Sequence, residues 1–115
     1  MKKFNPDKIR LLHIQEVIVY VQRFLKNKTK QDLYDEPLIR FAVERQLEII
    51  GEAANFLSSE FKENYSEIEW KRIVGFRNFL IHEYFGVDLE LVWDIVDTKL
   101  PFLKNTIDLA LSGIE

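Results

Sequence analysis

Apolar residues recur along most of the chain at intervals of three and four, the spacing that puts one stripe on a helix. The first stripe is Leu11, Ile14, Ile18, Val21 and Leu25. A second, Ile9, Leu12, Val17, Tyr20 and Phe24, widens it. Together they predict a helix from about Asp7 to Lys26 that is apolar over much of its circumference, as a central bundle helix would be. Thr29 is placed to cap a short turn through Leu33. Asp35-Glu36-Pro37 then reads as the start of a long helix, with acidic residues and proline at its first turn. Leu38, Phe41, Ala42, Ile49, Ala53, Phe56 and Leu57 carry that helix to about Phe61. Gly51 sits inside it, at a cost of about 1 kcal/mol relative to alanine, which points to a close helix crossing. Arg45, Gln46, Glu48 and Glu52 interrupt the stripe and are expected to line a polar seam.

Asn64-Tyr65-Ser66 reads as a linker. Ser66 with Glu69 three residues on matches a capping box, so the next helix is expected from Glu69 to Phe85, stopped by Gly86. The last helix begins near Asp88 and shows Leu91, Ile95, Leu100, Leu103, Ile107 and Leu111. Pro101 falls inside it and should kink or split it. The sum is an all-α, up-and-down four-helix bundle with an additional short helix, in one domain spanning residues 1–115.

Composition fits that picture and narrows the chemistry. The 115 residues are 47% hydrophobic and 30% charged, a globular composition rather than a disordered one. No apolar run approaches the roughly 20 residues of a membrane span, and the basic start is not followed by the apolar stretch of a signal peptide. A cytoplasmic location is expected. Cysteine is absent, which removes disulfides, thiolate metal sites and cysteine nucleophiles. The net charge of −3 is uneven: residues 1–30 hold eight Lys/Arg against two Asp/Glu, whereas the remainder holds eight against seventeen. Nucleic-acid contact by charge alone would need a basic chain, so any such contact should be local. The plainer reading of Lys2, Lys3, Lys26, Lys28 and Lys30 is a solvated terminus and loop.

The chemically suggestive stretch is Arg77-Asn78-Phe79-Leu80-Ile81-His82-Glu83-Tyr84. Asn78 and His82 are four apart and share a helix face, whereas Arg77 and His82 are separated by about 140°. One helix does not aim both at a single point, but two copies related by a two-fold axis would gather them in one cleft. Cleavage of RNA by transesterification needs a base for the 2′-hydroxyl and an acid for the leaving 5′-oxygen, and imidazole serves both. The guanidinium fork suits phosphate and the charge that grows on it. Asn78 could orient either. No metal and no cofactor is called for: His82-Glu83 lacks the second histidine of a zinc helix, since Gly86 stands there. His13 reads as a packing or hydrogen-bonded histidine, and Trp70 and Trp93 as core or interface anchors.

Arg77-Asn78-x-x-x-His82-x-Tyr84 resembles the R-x4-H-x-Y motif of the HepT toxins, in the HEPN group of nucleases. Arg45-Gln46-Leu47-Glu48-Ile49-Ile50-Gly51-Glu52-Ala53-Ala54 resembles that family's central helix. Trp70, Ile73 and Gly75 before the motif, and Phe85-Gly86-Val87-Asp88, Val92-Trp93-Asp94-Ile95-Val96 and Leu100-Pro101 after it, fit the same pattern. The resemblance covers most of residues 36–103, and Glu69 departs from it where many relatives carry proline. It implies a HEPN-like homodimer with Arg77 and His82 catalytic, acting on RNA, with tRNA a plausible substrate. It also implies an MntA-type nucleotidyltransferase antitoxin as partner, which would transfer AMP to Tyr84. The alternative is a non-catalytic helical module that serves such an enzyme as partner and modification acceptor.

Overall fold

The computed structural model describes residues 5–82 and 88–114, and at 79–82 the backbone alone. The helices are α1 Pro6–Phe24, α2 Lys30–Asp35, α3 Pro37–Asn55, α4 Ser59–Asn64, α5 Trp70–His82, α6 Leu89–Asp94 and α7 Leu100–Ser112, with a π-helical turn, Ile95–Lys99, joining the last two. The architecture is all-α, as the periodicity requires.

Three of the helix starts have a clear local cause. Asn5 accepts a hydrogen bond from the Asp7 amide, and Pro6 occupies the first turn of α1. Thr29 and Asp32 form a reciprocal capping box at α2, satisfying two amides that a helix start leaves orphaned. The Asp88 carboxylate accepts from the Glu90 and Leu91 amides and starts α6. Between α1 and α2 the chain turns through Asn27 at φ 62°, a left-handed conformation that asparagine tolerates.

Two boundaries differ from expectation. The apolar run through Phe56 and Leu57 does not prolong α3 to Phe61. Helix α3 stops at Asn55, and Ser58 caps a separate α4 by accepting from the Phe61 amide at 3.1 Å. Ser58 also donates its hydroxyl to Asp7 at 2.6 Å, and its amide to the same carboxylate at 2.8 Å. This fastens the end of α3 to the start of α1, so the two run antiparallel. Ser66 does not cap α5. Glu69 takes that place, its carbonyl accepting from Arg72 and Ile73, and its carboxylate pairs with Arg72 at 3.3 Å.

Pro101 splits the last helix as expected, by widening it. Proline lacks the amide that would continue the α ladder, and just before it the Leu100 amide reaches back five residues to Ile95. That is a π turn, and the helix resumes beyond it.

The core is fed by α1, α3 and α7: Leu11, Ile14, Ile18, Leu47, Ile50, Leu100, Leu103 and Ile107 are almost wholly buried. Phe61, Tyr65 and Trp70 stack beneath it, with ring centroids 4.7 and 5.8 Å apart, and the Trp70 indole donates to the Tyr65 carbonyl at 3.0 Å. Trp93 packs against the core as well. Part of the second stripe of α1 and both ends of α3 are less committed, although Val17 is buried. Ile9, Leu12, Leu38, Phe41 and Phe56 are exposed, Leu38 to 85%. No helix among the described residues is long and apolar enough to cross a membrane.

Candidate active site

The close approach of α3 and α5 is built on Gly51. A β-carbon there would lie 2.7 Å from the Ile73 carbonyl oxygen and 3.3 Å from both the Arg77 amide nitrogen and the Val74 carbonyl oxygen. Real β-carbons do not come so near to backbone, so the helices can be this close only with glycine at that position. The short α4 and the aromatic cluster around Trp70 return the chain along α3, which makes α5 its antiparallel neighbour. The backbone at Arg77 is thus held directly against α3, while its side chain is exposed.

Asn78 is exposed beside it. Among the described residues no hydrogen bond or ion pair engages either side chain. His82 is the last residue of α5, and its side chain lies outside what is described, as does the whole of Tyr84. What the fold places is therefore the Arg77 guanidinium, on a rigid helix with its head in solvent, and the backbone that carries His82 five residues later. Their angular offset is the 140° of an ideal helix, so one α5 does not bring them to a common point.

Gly75 contributes differently from Gly51. A β-carbon there would meet nothing within 4 Å. It shares with Lys71 and Asn78 an exposed face of α5, and His82 continues the same register at seven residues' spacing. That face also borders a groove of about 650 Å³ between α5 and the α6–α7 segment, floored by Ile68, Ile73, Phe76 and Leu103. Its rim carries Glu67, Glu69 and Asp94 against Arg72 and Lys99, a mixed set that does not favour a polyanion. The groove adjoins the motif face without containing Arg77.

The polar seam expected on α3 is present in part. Arg45 and Glu48 pair at 2.9 Å. One residue of that region escaped the sequence reading. Glu44 is half-buried, and its Oε2 is enclosed without a hydrogen-bond partner among the described residues. Burial pushes its carboxyl above the usual range, and Arg40 one turn away pulls the other way. The signal was its spacing of seven from Gly51, which sets both on one helix line. His13, by contrast, is exposed rather than packed: it points off the arc that Leu11 and Ile14 bury. Among the described residues no group of three or more His, Asp or Glu is placed to hold a metal ion.

Comparison with known proteins gives this arrangement a family. The family model described as "Ribonuclease HepT-like" matches residues 14–110. A Thermococcus cleftensis protein named "Probable ribonuclease HepT" is 36% identical over 105 residues, covering 91% of this chain and 94% of that protein. A Caldanaerobacter subterraneus protein with an RNase designation is 37% identical over 97 residues, covering 84% of this chain and 87% of its own length. A Methanocaldococcus jannaschii protein, whose name joins gamma-glutamylcyclotransferase to an RNase designation, is 44% identical over 100 residues. That alignment takes in 87% of this chain but 45% of the relative, so the chain spans under half of that protein. No solved structure matches. By the extent of the family match and the coverage of these relatives, the chain belongs to the HepT-like ribonuclease family.

Proposed function

We propose that this protein is a metal-independent ribonuclease, the toxin of a toxin–antitoxin module, and that its active site is composite, formed by Arg77 and His82 of two copies. The observation that carries the reading is the exposed Arg77 on the rigid α5, within a chain matched to the HepT-like ribonuclease family over residues 14–110. Two α5 helices facing across a two-fold axis remove the 140° offset, since Arg77 of one copy can serve His82 of the other. The open face at Gly75 suits close approach of a second helix.

The chemistry follows from the residue types. One imidazole takes the proton of a ribose 2′-hydroxyl as its oxygen attacks the adjacent phosphorus. The other protonates the departing 5′-oxygen. The guanidinium neutralises charge growing on the phosphoryl oxygens. Asn78 supports the phosphate or the imidazole. Inhibition would come from an MntA-type nucleotidyltransferase: the Tyr84 oxygen attacks the α-phosphorus of ATP, pyrophosphate leaves, and the bound AMP places negative charge and bulk where RNA phosphate must sit. tRNA is the proposed substrate.

RNA cleavage by purified, unmodified protein in EDTA tests this. Cleavage that Arg77→Ala and His82→Ala each lower at least a hundredfold is expected. Failure of the wild type to cleave any RNA, total tRNA included, would sink it. The second reading, a non-catalytic module that accepts modification from a nucleotidyltransferase, is favoured by one observation. Residues 31–115 carry a large acidic excess, unhelpful for attracting a polyanion.

A further inference from the structure

Helix α3 buries one side and leaves the other open. On an ideal helix Phe41, Arg45, Glu52 and Phe56 fall within about 60° of one another, and all four are exposed. Phe41 and Phe56 stay open to 61% and 59%, although Arg40 lies over the Phe41 ring at 5.1 Å and Arg10 over Phe56 at 5.0 Å. Large apolar side chains grouped on a charged face mark a contact surface. The order of residues along this face is also its own mirror. About a point midway between Glu48 and Ile49, Arg45 and Glu52 lie one turn to either side, and Phe41 and Phe56 two turns. An interface between identical copies across a two-fold axis must be self-complementary. An α3 laid antiparallel on its own copy sets Arg45 against Glu52 and Phe41 against Phe56, twice over.

That midpoint is fixed without reference to the motif, but it falls beside it. Gly51 is level with the stretch of α5 from Ile73 to Arg77, whose carbonyl oxygen and amide nitrogen a β-carbon there would meet. The midpoint lies about two and a half residues nearer the start of α3. With the helices antiparallel, this is level with a point nearer the end of α5 by the same amount, at Arg77 and Asn78. The two open faces also lie on one side of the helix pair. One residue beyond each contact point, Glu52 and Asn78 are both turned by 100°, which in antiparallel helices carries them to the same side. A two-fold axis through the midpoint therefore passes the motif, with exposed Asn78 next to it.

We propose that the open face of α3 seats a second copy of this chain, antiparallel about a two-fold axis beside Arg77 and Asn78, with Arg45 of each copy paired to Glu52 of the other and Phe41 packed on Phe56. This rests on the two-copy reading of the Arg77/His82 site and gives that site a place and an orientation. Arg45 holds Glu48 of its own chain at 2.9 Å while more than half of its side chain stays exposed. Its planar fork keeps donors for a second carboxylate. The aromatic contacts supply attraction, and the charge pairs set direction and register. A parallel arrangement would put Arg45 on Arg45.

Sedimentation of the unmodified full-length protein tests the face by exchanging its charges. Arg45→Glu and Glu52→Arg each place like charges at both crossings, and each alone should dissociate at least about tenfold more readily than wild type. An equal mixture of the two should recover the wild-type dimer, because the reversed charges meet opposite ones only when the variants pair with each other. Both substitutions in one chain should do the same. Recovery also shows that the variant chains are folded. A monomeric wild type overturns the proposal, as does a single variant that dimerises as tightly as wild type, or a mixture and a double variant that stay as weak as the single ones. RNA cleavage separates this face from the reading beneath it. A dimer indifferent to both charges that still cleaves RNA would keep the composite site and remove the face. Monomeric single variants that cleave as wild type does, with dimerisation restored on mixing, would uphold the face and remove the composite site.

Discussion

The two glycines of the central helices, Gly51 and Gly75, occupy opposite environments and should respond oppositely to one methyl group. Gly51→Ala drives a β-carbon to 2.7 Å from the Ile73 carbonyl, and backbone cannot step aside as a side chain would. Overpacking of this kind costs about 1–3 kcal/mol, more than the ~1 kcal/mol of helix propensity that alanine adds. Urea unfolding should show net destabilisation, and RNA cleavage should fall with it, since the Arg77 backbone shifts. Gly75→Ala meets open space and should stabilise the isolated chain by about 0.5–1 kcal/mol. If α5 faces a second copy, the same substitution should weaken the dimer, which analytical ultracentrifugation would detect. Arg77→Lys keeps the charge but loses the planar fork. Its expected signature is a cleavage rate about a hundredfold lower, with little change in melting temperature.

At the scale of elements, the caps and their carboxylates govern how the helices hold together. Ser58 caps α4 and also ties it to Asp7 of α1. Ser58→Ala should therefore cost about 1–2 kcal/mol, more than Thr29→Ala at the short, exposed α2. Hydrogen bonds hold several carboxyls below their usual range: Asp32 through the Thr29 amide, Glu90 through Lys30 and Tyr34, and Asp108 through Lys104 and Gln15. A depressed folded-state pKa adds stability above the unfolded value, and that stability is lost as pH falls through the folded value. Melting temperature should thus decline below about pH 4, and less steeply in Asp108→Asn. Glu44 has the opposite sign. Its raised pKa makes ionisation a penalty on folding at neutral pH, so Glu44→Gln should raise the melting temperature at pH 7 and change it little at pH 3.

For the whole molecule, the test is whether one chain suffices. If each site draws on Arg77 and His82 of both copies, a mixed dimer of wild type with His82→Ala holds a single His82 imidazole and should cleave nothing. After subunit exchange with an equal amount of that variant, roughly half of the dimers are mixed, so activity per wild-type chain should fall by about half. Unchanged activity per wild-type chain, with mixed dimers verified by native mass spectrometry, would mean that each site takes both residues from a single chain. Unmixed samples should run as dimers in light scattering.

Most of the helices were legible in the sequence, because the 3-and-4 spacing of apolar residues, the Thr29 cap and the start at Asp88 are local features. The motif was legible through its resemblance to the R-x4-H-x-Y pattern, with helix register relating Arg77, Asn78 and His82. Gly51 was legible as a helix crossing because a glycine inside a helix needs a reason. The tertiary structure alone decided what that glycine faces, that α3 stops at Asn55, and that Leu38 and Phe41 stay in water. Apolar periodicity says which residues share a face, but not whether another helix arrives to cover it. Glu44 shows the same limit most clearly. Its spacing of seven puts it on the helix line of Gly51, but only the packing of the helices decides that its carboxyl is enclosed while Glu48 finds a partner in Arg45. Burial and charge environment are properties of neighbours distant in the chain, which a pattern along the chain does not contain.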